Sequence, residues 1–505
     1  MTRRSPALAV ISGILLALSF PSLGYSFLSW FAFVPFLFAL RDRTVREGFL
    51  LSFLFGLVFF CCTVYWVTDS IHIYGHLPLL PASFITLFLC VILALFIAPF
   101  GAAVVHVRAA RPDIAFLAVP VIWVTLELAR THLFSGFPWA LAGYSQYRTL
   151  PVIQVADLAG VYGISFVIVL VNTAIAELIT DRKRFVPLLI ASVVLLAVLG
   201  YGHHRLTGGP ESGGITVTVV QGNIEQSKKW DPAYQSEVIA TYQRLTLKAL
   251  EQNPDLVIWP ETATPFYYGG FGAGDIKMTK DLQQFVRTMN TPLLTGSPTI
   301  ETKGGRIVAL RNTALLLGRD GAVDSLYHKM HLVPYGEYVP MKNILFFLEK
   351  MVQGVGDFQS GTEYTVMKVR LPAGDYVAIG TVICYEIIFP DLVRRFVNKG
   401  ATVITTLTND AWFGRTGAPE QHFSMVVFRA VENRVPIARA ANTGISGFID
   451  THGRILDSSG IFTEASLTLT FIPGSTRTFY TRYGDVFAWL CALTSLILLA
   501  LPFRK

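Results

Sequence analysis

Three residue types that can pass an acyl group between them stand far apart in this chain, yet each sits at a comparable local place. Glu261 follows the apolar run "DLVIW" and Pro260, Lys329 lies in "LYHKMHLVPYGEYVP", and Cys384 closes "AIGTVIC". A thiol is a useful nucleophile only when deprotonated or paired with a base. A carboxylate can take its proton, and an ammonium both favours the thiolate and can hold negative charge on an attacked carbonyl oxygen. Glu, Lys and Cys together make an acyl-transfer site. A strand cysteine also serves as a small buried hydrophobe, and lone loop carboxylates and lysines are commonly solvated, so spacing alone leaves the bland reading beside the catalytic one. Of the five cysteines, Cys61, Cys62, Cys90 and Cys491 fall inside long apolar runs. An exported domain with one cysteine cannot form an internal disulfide, which leaves chemistry as a use for the thiol.

The elements that must position these residues are short strands alternating with helices. Strands are expected at 214–224, 255–261, 291–300, 312–323, 376–386, 401–410 and 436–456, with helical stretches at 233–252 and 420–435. The pattern predicts a single-core α/β or α+β domain over 204–484, with its chemistry at strand ends.

Either side of that domain the chain is too apolar for an ordinary soluble protein: 52% of residues are hydrophobic and 15% charged. Eight spans are expected, near 6–22, 25–40, 48–68, 79–105, 114–132, 163–179, 186–202 and 486–503. Seven precede the α/β domain and one follows it. Arg3 and Arg4, then Arg41, Arg43 and Arg46, then Arg108 and Arg111, then Arg182, Lys183 and Arg184, then Arg504 and Lys505 occupy every second connection. The positive-inside rule puts these groups, and both termini, in the cytoplasm. The 204–484 segment then lies on the opposite, periplasmic face. "MTRR" before an apolar run also resembles a signal peptide, but its removal would spoil the charge alternation, so the first span is read as retained.

"WPET" around Glu261, "YHKMHLVPYGEYVP" around Lys329 and "ICYEIIFP" around Cys384 resemble, in order, the three motifs of the nitrilase or carbon-nitrogen hydrolase superfamily. That family has a four-layer α-β-β-α sandwich and a Glu-Lys-Cys triad. With the apolar spans, the whole chain resembles the apolipoprotein N-acyltransferase family. The resemblance implies a polytopic helical membrane domain (1–203, with a periplasmic arm at 132–163), an extramembrane nitrilase-like domain (204–484) and a C-terminal transmembrane helix (485–505), in a bacterial inner membrane. It implies transfer of a fatty acyl chain from a membrane phospholipid to the α-amino group of a diacylglyceryl-modified apolipoprotein, by a ping-pong route through a thioester on Cys384. Glu261 would be the general base and Lys329 the stabiliser of the tetrahedral intermediate. By the same resemblance Glu337 would orient Lys329 and the base, the Tyr385 backbone N–H would face the oxyanion, Glu386 would be a further essential acid, and Trp230 would serve substrate access or loop packing. Plainer roles stand beside these: Glu337 and Glu386 as ion-pair partners, Tyr385 and Trp230 as packing aromatics.

A thioester must be shielded from water. Two segments, 265–275 ("PFYYGGFGAGD") and 343–361 ("NILFFLEKMVQGVGDFQSG"), are read as mobile lids at the membrane interface; in the first the glycines lack dinucleotide spacing and no helix clearly follows. Within the arm, "GFPW" and Gln146 are read as lining the lipid entrance and Arg148 as an interfacial anchor. Glu127, three residues before Arg130, is read as a local ion pair. No histidine or cysteine spacing suits a metal and no cofactor is expected. The net charge of +7 comes largely from cytoplasmic loops, so no nucleic-acid partner is expected. A membrane-anchored amidase acting on small amides is the alternative enzyme. A transporter or receptor with a ligand-binding α/β domain would have no need of Cys384.

Overall fold

The computed structural model describes residues 4–21, 23–207, 214–303, 306–334, 336–338, 358–372 and 374–500. The chain divides into two compact units, Met1–Gly208 with Thr416–Glu432 and Thr478–Lys505, and Gly209–Arg415 with Asn433–Arg477. Thr416–Glu432, which the sequence reading places inside 204–484, therefore groups with the membrane-type helices.

In the first unit five helices are long and apolar enough to cross a membrane: Val45–Thr63, Leu79–Ala110, Ala115–His132, Ala156–Thr180 and Val186–Leu206. Three other expected spans correspond to shorter apolar helices, Arg4–Leu18, Ser26–Ala39 and Val486–Leu499. At 1.5 Å per residue, about 15 residues reach only ~22 Å of the ~30 Å hydrocarbon core. Close packing has visible causes. A Cβ on Gly48 would meet the Gly101 carbonyl oxygen at 2.6 Å, so these backbones touch where only glycine fits. Buried Asn172 is satisfied across the bundle, donating to the Ser29 carbonyl at 2.8 Å and accepting from the Phe33 N–H at 2.9 Å.

Glu127 and Arg130 do not make the expected ion pair. Glu127 Oε1 accepts from Trp123 Nε1 at 3.0 Å and from the Ala142 N–H at 2.7 Å. Arg130 instead donates to the carbonyls of Phe137 (3.1 Å) and Trp139. Both side chains leave the helix face to shape the irregular segment 133–142, whose backbone groups need partners. Gln146 is likewise buried, accepting from Trp30 Nε1 and donating to the Ser26 carbonyl.

The second unit contains two six-stranded sheets. The first has the order β12-β1-β2-β3-β4-β5, with β1 Ile215–Gln221, β2 Leu256–Ile258, β3 Leu293–Lys303, β4 Arg306–Leu317, β5 Val323–His328 and β12 Ala465–Phe471. The second has the order β11-β10-β9-β8-β7-β6, with β6 Val366–Arg370, β7 Tyr376–Ile383, β8 Val403–Thr408, β9 Ile437–Ala441, β10 Gly447–Ile449 and β11 Ile455–Ser458. β1, β2 and β3 run parallel, as do β7, β8 and β9. β2 and β7, and the buried β8, are rich in Val, Ile and Leu, as a parallel strand buried on both faces requires.

Helices Gln235–Ala249 and Ala273–Met289 cover the first sheet, setting Val238, Tyr242, Leu245, Leu282 and Val286 against Val257, Trp259 and Leu315. Helix Pro390–Asn398 lies on the second sheet so closely that a Cβ on Gly380 would meet Phe396 Cβ at 2.8 Å. Ala273–Met289 begins inside 265–275, where no helix was expected, because the apolar residues of that helix recur at helical spacing only beyond the glycines.

Candidate active site

Each of the three reactive residues stands one to three positions beyond a strand. Trp259 and Pro260 carry the chain from β2 to Glu261, Lys329 follows the last residue of β5, and Cys384 follows the last residue of β7. Cys384 has φ 51°, a left-handed conformation that a β-carbon disfavours, at the head of the 3-10 turn Cys384–Ile388. Such strain is held by the surrounding structure and turns the side chain out of the strand register. Beside β2, Gly296 of β3 admits the main chain of Glu261: an added Cβ would lie 2.6 Å from Glu261 Cα.

The fold brings Glu261 and Lys329 together although 68 positions separate them, with Nζ 3.3 Å from Glu261 Oε1 and 2.9 Å from Glu337 Oε1. Asn312 Nδ2 reaches both carboxylates, at 2.8 Å to Glu261 Oε1 and 2.9 Å to Glu337 Oε1. The other Glu261 oxygen accepts the Asn409 N–H at 3.0 Å, and the other Glu337 oxygen accepts the Val333 N–H at 2.8 Å. Glu261 and Lys329 are both buried. Burial disfavours the Lys329 ammonium, but Glu337 and Glu261 outweigh it and hold its pKa well above the usual lysine range. Cys384 is half-buried; desolvation and the Glu261 carboxylate push its thiol up, with Lys329 opposing. The Lys329 ammonium thus sits between two carboxylates, and the Cys384 thiol is biased towards its protonated form. Such a thiol needs a base at the moment of attack.

Glu386 is fully buried and makes no ion pair among the described residues. Its Oε1 accepts from Tyr327 Oη at 2.7 Å and from the N–H groups of Met330 (2.7 Å) and His331 (3.0 Å), and its Oε2 accepts the Ile383 N–H at 2.7 Å. It therefore ties the main chain just after Lys329 to the main chain just before Cys384. The salt-bridge role open to Glu386 from sequence does not occur. Burial raises its pKa, and the Ile383 and His331 N–H bonds oppose this. Tyr385 packs against Phe389 (ring centroids 5.3 Å) and His331 (5.8 Å).

Trp230 is 42% exposed, its ring 6.3 Å from that of Tyr267. Tyr267 belongs to 265–275, the first of the two expected lids, and this stretch is pinned. Tyr267 N–H donates to Asp275 Oδ1 at 3.0 Å, Tyr268 N–H to the Pro298 carbonyl at 3.0 Å, and Gly269 N–H to Thr279 Oγ1 at 3.2 Å. Phe271, 62% exposed, projects from it. The other expected lid, 343–361, lies outside the described residues except for 358–361.

Sequence reasoning missed Asn312, Asn409 and Lys229. Lys229 is buried and donates from Nζ to the Glu261 carbonyl oxygen at 3.0 Å. Asn409 closes "TLTND" just beyond β8, so the strand-end rule that selected Glu261 and Cys384 was the signal available for it.

The second unit thus carries a strained thiol and a carboxylate–ammonium pair at the ends of its strands. The Carbon-nitrogen hydrolase family model matches residues 216–478, and a model described as Apolipoprotein N-acyltransferase N-terminal domain matches residues 12–174. Apolipoprotein N-acyltransferase of Geobacter metallireducens is 44% identical, covering 100% of this chain and 96% of the relative. That of Haemophilus influenzae is 32% identical, covering 97% and 93%. An amidase from Nesterenkonia sp. is similar at 20% identity and a TM-score of 0.39, covering 55% of this chain and 96% of that one. The chain belongs to the apolipoprotein N-acyltransferase family. It is an acyltransferase, and its apolar helices fit a bacterial membrane protein.

Proposed function

We propose that this protein moves a fatty acyl chain from a membrane glycerophospholipid to the α-amino group of the S-diacylglyceryl-cysteine that begins an apolipoprotein, through a thioester on Cys384. The observation that carries the reading is the buried Glu261–Lys329 pair at strand ends, in electrostatic reach of the strained Cys384. Glu261 takes the Cys384 proton as Sγ attacks the ester carbonyl. The oxyanion that forms is met by the Lys329 ammonium and the Tyr385 backbone N–H. The carbon–oxygen bond breaks, the lysophospholipid oxygen leaves with the proton from Glu261, and the acyl group stays on sulfur. In the second half the lipoprotein amine attacks the thioester, Glu261 accepts the amine proton, and the thiol is regained.

Glu337 and Asn312 hold the two charges in register, Glu386 fixes the spacing between Lys329 and Cys384, and Trp230 borders the approach of substrate. The three shorter apolar helices join the five long ones as spans, in the order seven then one, with both termini cytoplasmic and the catalytic domain periplasmic in the inner membrane. The domain division 1–203, 204–484 and 485–505 follows this topology, with Thr416–Glu432 as a return into the helical unit.

The test is a burst experiment. Enzyme mixed with phospholipid and no acceptor is expected to release one lysophospholipid per active site and then stall. Continuous release without acceptor, or turnover of small amides with no burst, would replace this reading with an anchored amidase.

A further inference from the structure

Lys229 ends the short helix Gln226–Lys229, 1% exposed, and its hydrogen bond to the Glu261 carbonyl at 3.0 Å is its one side-chain bond among the described residues. No carboxylate pairs with it there, although burial penalises an unpaired ammonium. Burial holds its pKa down to about 8, while the charges of Glu261 and Cys384 act in the opposite direction. Its neighbours in sequence face outward: Lys228 lies 3.9 Å from Glu225, and Asp231 accepts the Ala233 N–H.

The same segment is tied to the base a second time. Gln226 Oε1 accepts from Asn409 Nδ2 at 2.8 Å, and the Asn409 N–H is the donor that holds Glu261 Oε2. The charges grouped with Glu261 are Lys329 and Glu337 beyond β5, Lys229 from the short helix, and the titratable Cys384 beyond β7. Asp410 beyond β8 is matched by Arg439 at 2.7 Å, and Glu386 is engaged by four donors. Two carboxylates face one ammonium in the Glu261–Lys329–Glu337 cluster, which leaves an excess negative charge in a buried place. An ammonium at Lys229 balances it.

We propose that Lys229 is a positioning residue for the acylation step: its ammonium offsets the excess negative charge of the buried carboxylates, and its bond fixes the main chain that carries Glu261. The inference rests on the reading of Glu261 as base and Cys384 as nucleophile. A neutral residue here takes a positive charge away from the buried carboxylate cluster, which moves the acid limb of acylation to higher pH.

The experiment measures the lysophospholipid burst from phosphatidylethanolamine in detergent micelles, using the full chain, from about pH 5 to about pH 9. Wild type, Lys229→Met, Lys229→Arg and Cys384→Ser are compared, with thermal melting of each. Lys229→Met is expected to acylate roughly tenfold more slowly at neutral pH, with the acid limb moved up by about one pH unit and KM for the donor unchanged. Lys229→Arg, which keeps the charge, is expected to return the limb towards wild type. An unshifted limb in Lys229→Met overturns the proposal, whether its burst is fast or slow; a slow burst with a lowered melting temperature and an unshifted limb in both variants assigns Lys229 to packing alone. Should wild type show no Cys384-dependent burst, the reading beneath the proposal falls first and takes the proposal with it.

Discussion

Lys329 is enclosed between Glu261 and Glu337, and this decides both its charge and its service. Its pKa is raised in the folded state, so the stability this contributes is fully present below the unfolded lysine value of about 10.4 and is lost only as pH rises beyond it. Lys329 is therefore expected to add no slope to melting temperature across the neutral range, and a titration of melting temperature checks this against Lys329→Met. The same substitution removes a donor aimed at the oxyanion and is expected to slow the lysophospholipid burst by about 10²–10³-fold. Glu261, Lys329 and Cys384 were legible in sequence because their types name their chemistry and each follows an apolar run. Asn312 and Lys229 were not, since their meaning comes from partners 51 and 32 positions away. An amide between two carboxylates has no signature in its own neighbourhood.

Strand ends hold these side chains, so small changes there should act through geometry. Gly296→Ala puts a Cβ against the main chain of Glu261. Overpacking of this kind costs about 1–3 kcal/mol, and the burst is expected to fall by at least tenfold while Cys384 still reacts with iodoacetamide. Glu386→Gln puts an amide N–H₂ where donors converge from the ends of β5 and β7. It is expected to destabilise the domain by about 2 kcal/mol and to slow acylation, seen as a lower melting temperature with a smaller burst rate. The parallel strands β1, β2, β7 and β8 were legible as runs rich in β-branched residues. β6 was not, because Met367 and Val369 alternate with exposed Lys368 and Arg370 in a five-residue strand. β12 was not expected, although its Thr468 and Thr470 pair with Thr218 and Thr216 of β1. The run 436–456 held three strands, β9, β10 and β11, divided at 442–446 and 450–454, where Asn, Asp and Gly mark turns.

At the scale of the whole molecule, the membrane unit was visible through composition, but eight apolar runs became five long helices and three shorter ones. Hydropathy reads the length of an apolar run and does not see where the backbone breaks, as it does between Ser26–Trp30 and Val34–Ala39. The proposed topology predicts that a cysteine placed at Asp42 is shielded from an impermeant maleimide in intact cells. One placed at exposed Phe271 should be labelled once the outer membrane is opened, and the reverse pattern would invert the orientation. The central claim is that Cys384 carries the acyl group, and the most direct measurement is the intact mass of purified protein after incubation with phospholipid. Wild type is predicted to gain one acyl chain that hydroxylamine removes, while Cys384→Ser gains none labile to it. An active preparation with no adduct, or a hydroxylamine-labile adduct that persists in Cys384→Ser, would contradict the account.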